Sequence, residues 1–311
     1  MFVSVVVALC ALAMQVQGQS MPEPPLLKVY ASNEYVNQHV LQRSRSVLRG
    51  IMLSYRSSAA FERYQLDKAA VLHGRGLSDR ATSSFETVYK FHPQSPYASA
   101  AAIEAGFVGL EENDLGSAIS HLEVATDIAA RDVSIRSDTA YQHLALLAYY
   151  WLGACYAQAG RFEDACTQWT ACARLKSTDI MAARALFAIA QTHELNGLDS
   201  SALTAYQSVM DGFPRSEYSA ESQLRRAVIM LGKRSPVRAL DELQGIDLDL
   251  VHFMQIGDSA RCELVRQYVT IVRMQALSMQ RLFAQSLDSA RVYLSRYPMS
   301  ENDGLVRLAM G

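Results

Sequence analysis

The stretch YYWLGACYAQAGRFEDACTQW, residues 149–169, decides the fold. Tyr149, Leu152, Gly153 and Tyr156 fall on one helical face, Gly160 interrupts, and Ala165 and Trp169 open a second apolar stripe. The pattern predicts a helix, a tight turn and an antiparallel helix. Gly153 and Ala165 are small where two helices must cross closely, while Tyr156 and Trp169 have the bulk to fill the space beside them.

The same unit recurs along the chain. Ala81, Ala118, Ala165, Ala202 and Ala239 are separated by steps of 37, 47, 37 and 37 residues, which reads as a tandem array with one longer spacing. The following unit carries Leu186, Ile189, Ala190, Gly197, Ala202, Tyr206 and Pro214. An earlier one carries Ala69, Gly76, Ala81, Phe85 and Pro93 in the same frame. Weaker units surround Ala105 and Gly106 with Ala118 and Leu122, and Ala227 with Ala239 and Leu243; neither has a closing proline. The order aromatic, Leu-Gly, Tyr, then Ala and aromatic resembles the tetratricopeptide repeat (TPR). That resemblance covers roughly residues 62–300. It implies an all-α TPR superhelix (α-solenoid) of antiparallel helix pairs, with about five recognisable units plus caps.

A narrower likeness lies in the turns. FETVYKFHPQSPYA from Phe85 aligns with YQSVMDGFPRSEYS from Tyr206, and RVYLSRYPMSEN from Arg291 is a shorter echo. The proline stops one helix, the serine is suited to cap the next, and the tyrosine is placed to pack back across the turn. This ending resembles that of the envelope TPR proteins of Gram-negative bacteria, the BamD and CpoB (YbgF) type.

The chain ends fit that compartment. Residues 2–14 are an uncharged apolar run, too short to span a bilayer and suited to a secretory signal, with Val16 and Gly18 small enough for a cleavage site. The segment before it lacks Lys and Arg, and a mis-assigned start or an apolar N-terminal helix is the alternative. Cys10 lies too early, after the large Leu9, to serve as a lipid anchor. The expected organisation is a signal peptide (1–18), an extended lead-in and N-terminal helical cap (19–61), a TPR array (62–246), and degenerate TPR-like helices with a C-terminal cap (247–311). In the cap, Val36, Val40, Val47, Ile51 and Leu53 form the apolar pattern. The charged residues 131–138, in the longer spacing, either extend a loop or lengthen a helix.

Half of the 311 residues are apolar and the net charge is −2, so no basic field argues for nucleic acid. No second long apolar segment argues for a membrane span in the mature chain. Cys155, Cys166, Cys172 and Cys262 read as small buried residues on packed helices, with a bridge such as 155–172 as the alternative. Seven scattered histidines form no HxH or HExxH spacing, and no phosphate-binding or nucleophile motif occurs, so no metal, cofactor or catalytic residue is expected.

Carried over from the repeat, the concave face falls on the first helix of each unit. It comprises Ile103, Phe107 and Leu110, then Tyr150 and Gln158, then Arg184, Phe187, Gln191 and Glu194, and finally Leu224. Aromatic anchors beside polar groups suit a groove that grips an extended or helical peptide. Filling of the inter-repeat core by Phe107 and Phe187 is the competing reading. The resemblance implies a non-catalytic scaffold or adaptor for protein partners in the bacterial periplasm, in outer-membrane protein assembly or envelope maintenance. The alternative is a TPR accessory to an envelope enzyme, or a cryptic hydrolase in the C-terminal segment, with Cys262 or His252 beside a carboxylate.

Overall fold

The computed structural model describes residues 38–54, 60–136, 139–175, 179–214, 216–246, 259–298 and 306–307. The apolar run 2–14, Cys10, the lead-in from Gln19 and His252 lie outside them, so the expectations placed there are not addressed by the structure. Among the described residues there are thirteen helices and no strand, an all-α TPR-type array. They are α1 (Gln38–Ser54), α2 (Ala60–Gly74), α3 (Ser78–Phe91), α4 (Ala98–Glu111), α5 (Leu115–Arg136), α6 (Thr139–Gln158), α7 (Phe162–Leu175), α8 (Ile180–Leu195), α9 (Asp199–Gly212), α10 (Glu217–Gly232), α11 (Pro236–Glu242), α12 (Ser259–Met279) and α13 (Phe283–Arg296). No described helix is long and apolar enough to cross a membrane.

From α2 onward the helices pair, and one backbone device makes each pair. A residue with positive φ sits in the turn between first and second helix at Gly76, Asn113, Gly160, Gly197, Arg234 and Arg281, with φ of 73, 59, 77, 71, 55 and 62°. A left-handed residue ends the first helix and lets the chain reverse within a few residues. Five residues further on, the amides of Ala81, Ala118, Ala165, Ala202, Ala239 and Ser286 each donate to the carbonyl four residues back, starting the second helix. The alanine ladder thus has a sixth rung. Its residue is serine and its step is again 47, so α12 and α13 form a sixth unit in register where the sequence shows only degenerate helices.

Packing repeats with the same period. Phe85, Leu122, Trp169, Tyr206, Leu243 and Ala290 occupy one position of the second helices, and none is more than 3% exposed. In the third unit a Cβ added to Gly153 would fall 2.6 Å from the Trp169 ring, whose Nε1 donates to the Tyr150 carbonyl at 3.1 Å. Glycine at 153 is therefore required by contact. The longer spacing lengthens helices: α5 and α6 have 22 and 20 residues against 14 in α3, α4, α7 and α9, and residues 131–136 are the last turns of α5.

The proline turns also repeat. His92, Phe213 and Tyr297, each preceding a proline, adopt φ of −127, −136 and −127° with ψ of 55, 56 and 60°. A residue before proline is driven out of the helical region, which ends the helix there. Ser216 caps α10, its Oγ accepting from the Ser219 amide at 3.2 Å, and Tyr97 and Tyr218 are buried behind their turns. Ser300 lies outside the described residues.

Two compact units divide the chain, one spanning Asn33–Thr192 and the other holding His193–Gly311. In the first, a single apolar cluster runs from Leu41 to Ala188. In the second, one cluster joins α10, α11 and α12 around Leu224, Leu243 and Val269, and another joins α12 and α13 around Tyr293.

Candidate helix-binding face

Helix α4 has a composition unusual for an amphipathic element: ASAAAIEAGFVGLE, with every residue from Ala98 to Leu110 buried. Two faces account for this. On one, Gly106 and Gly109 let α5 approach so closely that an added Cβ would lie 2.7 Å from Leu122 Cγ and 2.9 Å from the Ala118 backbone nitrogen. The other face carries Glu104, Phe107 and Glu111, and α1 covers it. A helix apolar nearly all round must be covered all round.

Helix α1 does not continue the pairing. It packs on α4 and α6, first helices of the second and third units. Its seated face is Leu41, Ser44, Arg45 and Leu48, at i, i+3, i+4 and i+7; both leucines are fully buried, about 1.5–3 kcal/mol each. Of the expected apolar pattern, Val40 and Ile51 pack half-buried against the core, whereas Val47 and Leu53 point to solvent, 49% and 73% exposed, and Val36 lies outside the described residues.

At the centre lies a buried ionic fork. Arg45 Nε donates to Glu104 Oε2 at 3.0 Å and Nη1 to Glu111 Oε1 at 2.5 Å. Glu111 also accepts from Gln42 Nε2 at 3.1 Å and lies 2.6 Å from His73 Nε2 on α2. Below the fork the guanidinium carbon stands 5.7 Å from the Phe107 ring centre, and Phe107 meets Trp151 edge-on at 5.5 Å. Trp151 Nε1 donates to Ser44 Oγ at 3.1 Å. Burial pushes the Glu104 carboxyl above its ordinary value, more than Arg45 and Arg49 pull it down. At Glu111 burial is outweighed by the hydrogen bonds and charges of Arg45 and His73, and the group sits below its ordinary value.

Against this geometry the ten expected groove residues divide. Ile103, Phe107, Leu110, Tyr150, Phe187 and Leu224 are buried and offer little or no surface. Ile103, Tyr150, Phe187 and Leu224 share one position of the repeat with buried Leu66 and Ile271, a packing layer that every unit needs. Phe107 is covered by α1. Arg184 and Tyr150 are brought together, the guanidinium 5.6 Å from the ring centre. Gln158 is exposed at the end of α6 and Gln191 half-buried. Glu194 is engaged internally: Arg225 donates to it from Nε at 3.0 Å and Nη2 at 2.5 Å, and the Tyr206 hydroxyl at 2.7 Å. Sequence reasoning missed Ser44, Arg45, Glu104, Glu111 and Trp151. The available signal was Glu104, a lone carboxylate amid a run of alanine, glycine and apolar residues, and Arg45, an arginine centred on a leucine face.

Chemically active groups are placed for packing. All four described cysteines stand as thiols. Burial drives Cys155 up to about 12 and raises Cys172 further, the opposite of an activated nucleophile. Cys262 is buried in the apolar cluster of α10–α12. Among the described residues no group of three or more His, Cys, Asp or Glu side chains is placed to hold a metal ion. A shallow, open hollow beside His193 is lined by Ser200, Ser201, Thr204 and Ala205.

No protein-family model matches the chain, and no curated protein does. Solved structures similar to it include the MamA protein (11% identity, 66% of this chain and 94% of that one, TM-score 0.46). The apo form of RapI is 8% identical over 75% and 96% of the two chains, with a TM-score of 0.48. A tetratricopeptide repeat protein from Parabacteroides merdae is 14% identical over 80% and 97%, with a TM-score of 0.33.

Proposed function

We propose that this chain is a non-catalytic protein-interaction scaffold that works through the first-helix face of its repeats. The observation that carries the reading is α1: an amphipathic helix already lies across α4 and α6, in the way a helical ligand is gripped. TPR arrays serve as interaction modules, and the described cysteines are placed as core residues. The finer reading is an adaptor in the bacterial envelope, of the BamD and CpoB type, exported by the 1–18 segment and acting in outer-membrane assembly or envelope maintenance. The apolar run 2–14 and the aromatic-Pro-x-Ser-x-Tyr turns support it.

Crosslinking in intact cells followed by mass spectrometry tests the scaffold reading. Protein partners crosslinked to α4, α6 and α8 are expected; a chain with no crosslinked partner, or with crosslinks confined to the second helices, would sink it. Fractionation with N-terminal sequencing tests the location. A mature terminus near Gln19 in an envelope fraction is expected, and intact Met1 in cytoplasm would overturn export.

A further inference from the structure

Helix α1 occupies the first-helix face and not the outer side of the first pair. Helix α2 keeps Phe61, Tyr64 and Val71 47, 61 and 54% exposed, at i, i+3 and i+10 on the helix that a terminal cap would cover. The contacts of α1 are instead those of a bound helical peptide, with two leucines in apolar seats and one arginine forked between two carboxylates.

The receptor is built for a cation. Glu104 and Glu111 have side chains only 8% and 17% exposed, project from the same face of α4, and are joined there by Arg45 from α1. Two neighbouring carboxylates shielded from water need a positive partner, and a guanidinium satisfies both with one planar group. Phe107 supplies the aromatic ring beneath that group, and Trp151 braces Phe107 edge-on.

The helix seated there depends on its seat. Its sequence QHVLQRSRSVLRGIMLS holds Gly50 in the interior, Ser44 and Ser46 in the middle, no acidic residue in the first turn and no basic residue in the last. Seventeen residues of this composition are poor at holding a helix alone, so packing against α4 and α6 supplies the order. A segment ordered by its site can be exchanged for another that fits it better.

We infer that the α4–α6 face is a receptor for a cationic amphipathic helix of a partner protein, of the form Leu-x-x-Ser-Arg-x-x-Leu, and that α1 is its resident competitor. This rests on the scaffold reading and adds to it the chemistry of the partner and a means of control. The chain in isolation is closed by its own helix, and a partner binds by displacing it.

The probe is a fluorescent peptide of residues 38–54, titrated into the full chain. The wild type, closed by α1, is expected to bind it weakly. The full-chain variant Arg45→Glu, whose own helix is repelled by Glu104 and Glu111, is expected to bind at least about ten-fold more tightly. Adding Glu104→Gln and Glu111→Gln to that variant should abolish the gain, and a peptide carrying Arg45→Glu should not bind. In the wild type, hydrogen exchange should be at least about ten-fold faster in α1 than in α4 and α6. This measurement holds even if the variant fails to fold. Exchange in α1 as slow as in α4 would make it integral core and overturn the inference. So would a folded Arg45→Glu chain that takes no peptide. Sedimentation showing wild-type chains paired through exchanged α1 helices would put a second copy in the partner's place, again overturning it. Loss of peptide binding with cellular crosslinks intact removes this inference alone, whereas absence of any crosslinked partner removes the scaffold reading whatever the peptide does.

Discussion

Each compact unit buries an arginine against carboxylate, and the two arrangements differ in what they join. In His193–Gly311, Arg225 on α10 grips Glu194 at the end of α8, with the Tyr206 hydroxyl as a third member; arginine and carboxylate are 4% and 13% exposed. All three residues belong to the repeat itself. In Asn33–Thr192, Glu104 and Glu111 belong to the repeat, but their arginine comes from α1, which lies outside the register. Arg225 and Glu104 occupy the same position of their units, each fourteen residues before the ladder alanine, Ala239 and Ala118. One site therefore completes its charge internally, and the other takes its arginine from a separate helix, with His73 of the first unit beside Glu111 alone. Similar chemistry serves cohesion in one place and occupancy in the other.

The sharpest way to break this comparison is to remove each arginine. Arg225→Ala leaves Glu194 buried without its cation and should cost about 3 kcal/mol, the low end for a broken buried pair because Glu194 retains some water. Arg45→Ala should lower the main melt by no more than about 1 kcal/mol, since Glu104 and Glu111 regain water when α1 lifts. Circular-dichroism melts measure both, and equal losses would erase the distinction. Glycine contacts sharpen it next. Gly153→Ala drives a methyl into Trp169 and should cost about 2 kcal/mol. Gly232→Ala in the other unit meets nothing within 4 Å and should be neutral or gain about 0.5 kcal/mol. Paired chemical denaturation curves decide between them.

Acidity gives a third, smaller effect. Glu111 is held below its ordinary value in the fold, so its stabilisation is present above the unfolded carboxylate pKa of about 4.3 and is lost as pH falls through the folded value. At pH 7 Glu111→Gln should cost about 1.5 kcal/mol. The gap between wild-type and variant melts should close on acidification below the ordinary carboxylate range; a gap that stays constant would remove Arg45 and His73 as its source. The smallest effect concerns the sixth unit. Arg281 has φ of 62° where three other units use glycine, so Arg281→Gly should gain roughly 0.5 kcal/mol in the same denaturation assay.

That last turn also marks how far the sequence could be read. The first five rungs of the alanine ladder were legible because close helix crossing repeatedly selects one small residue at one spacing. The sixth escaped because Ser286 replaces alanine, Arg281 replaces glycine, and the step is 47. Local caps were legible too: Pro214 and Ser216 act within four residues of each other. The seat of α1 was not, since Arg45 meets partners 59 and 66 residues away, and no local spacing encodes such a meeting. Its buried face was misread in part for a related reason. Val47 and Leu53 look as apolar as Leu41 and Leu48, and distant partners on α4 and α6, Glu104, Glu111 and Trp151 among them, decide which side turns inward.

The thiols described above have a practical consequence. Cys155 and Cys172 lie sealed in one compact unit, Cys262 lies sealed in the other, and Cys166 is half-buried near the first two. Burial holds Cys155 and Cys172 protonated, so an alkylating reagent reaches each sealed sulfur only after local opening. The chain therefore carries a built-in clock for each half. Residue-resolved labelling times, with Cys166 as the fast reference, report the opening of each half separately, without any engineered label.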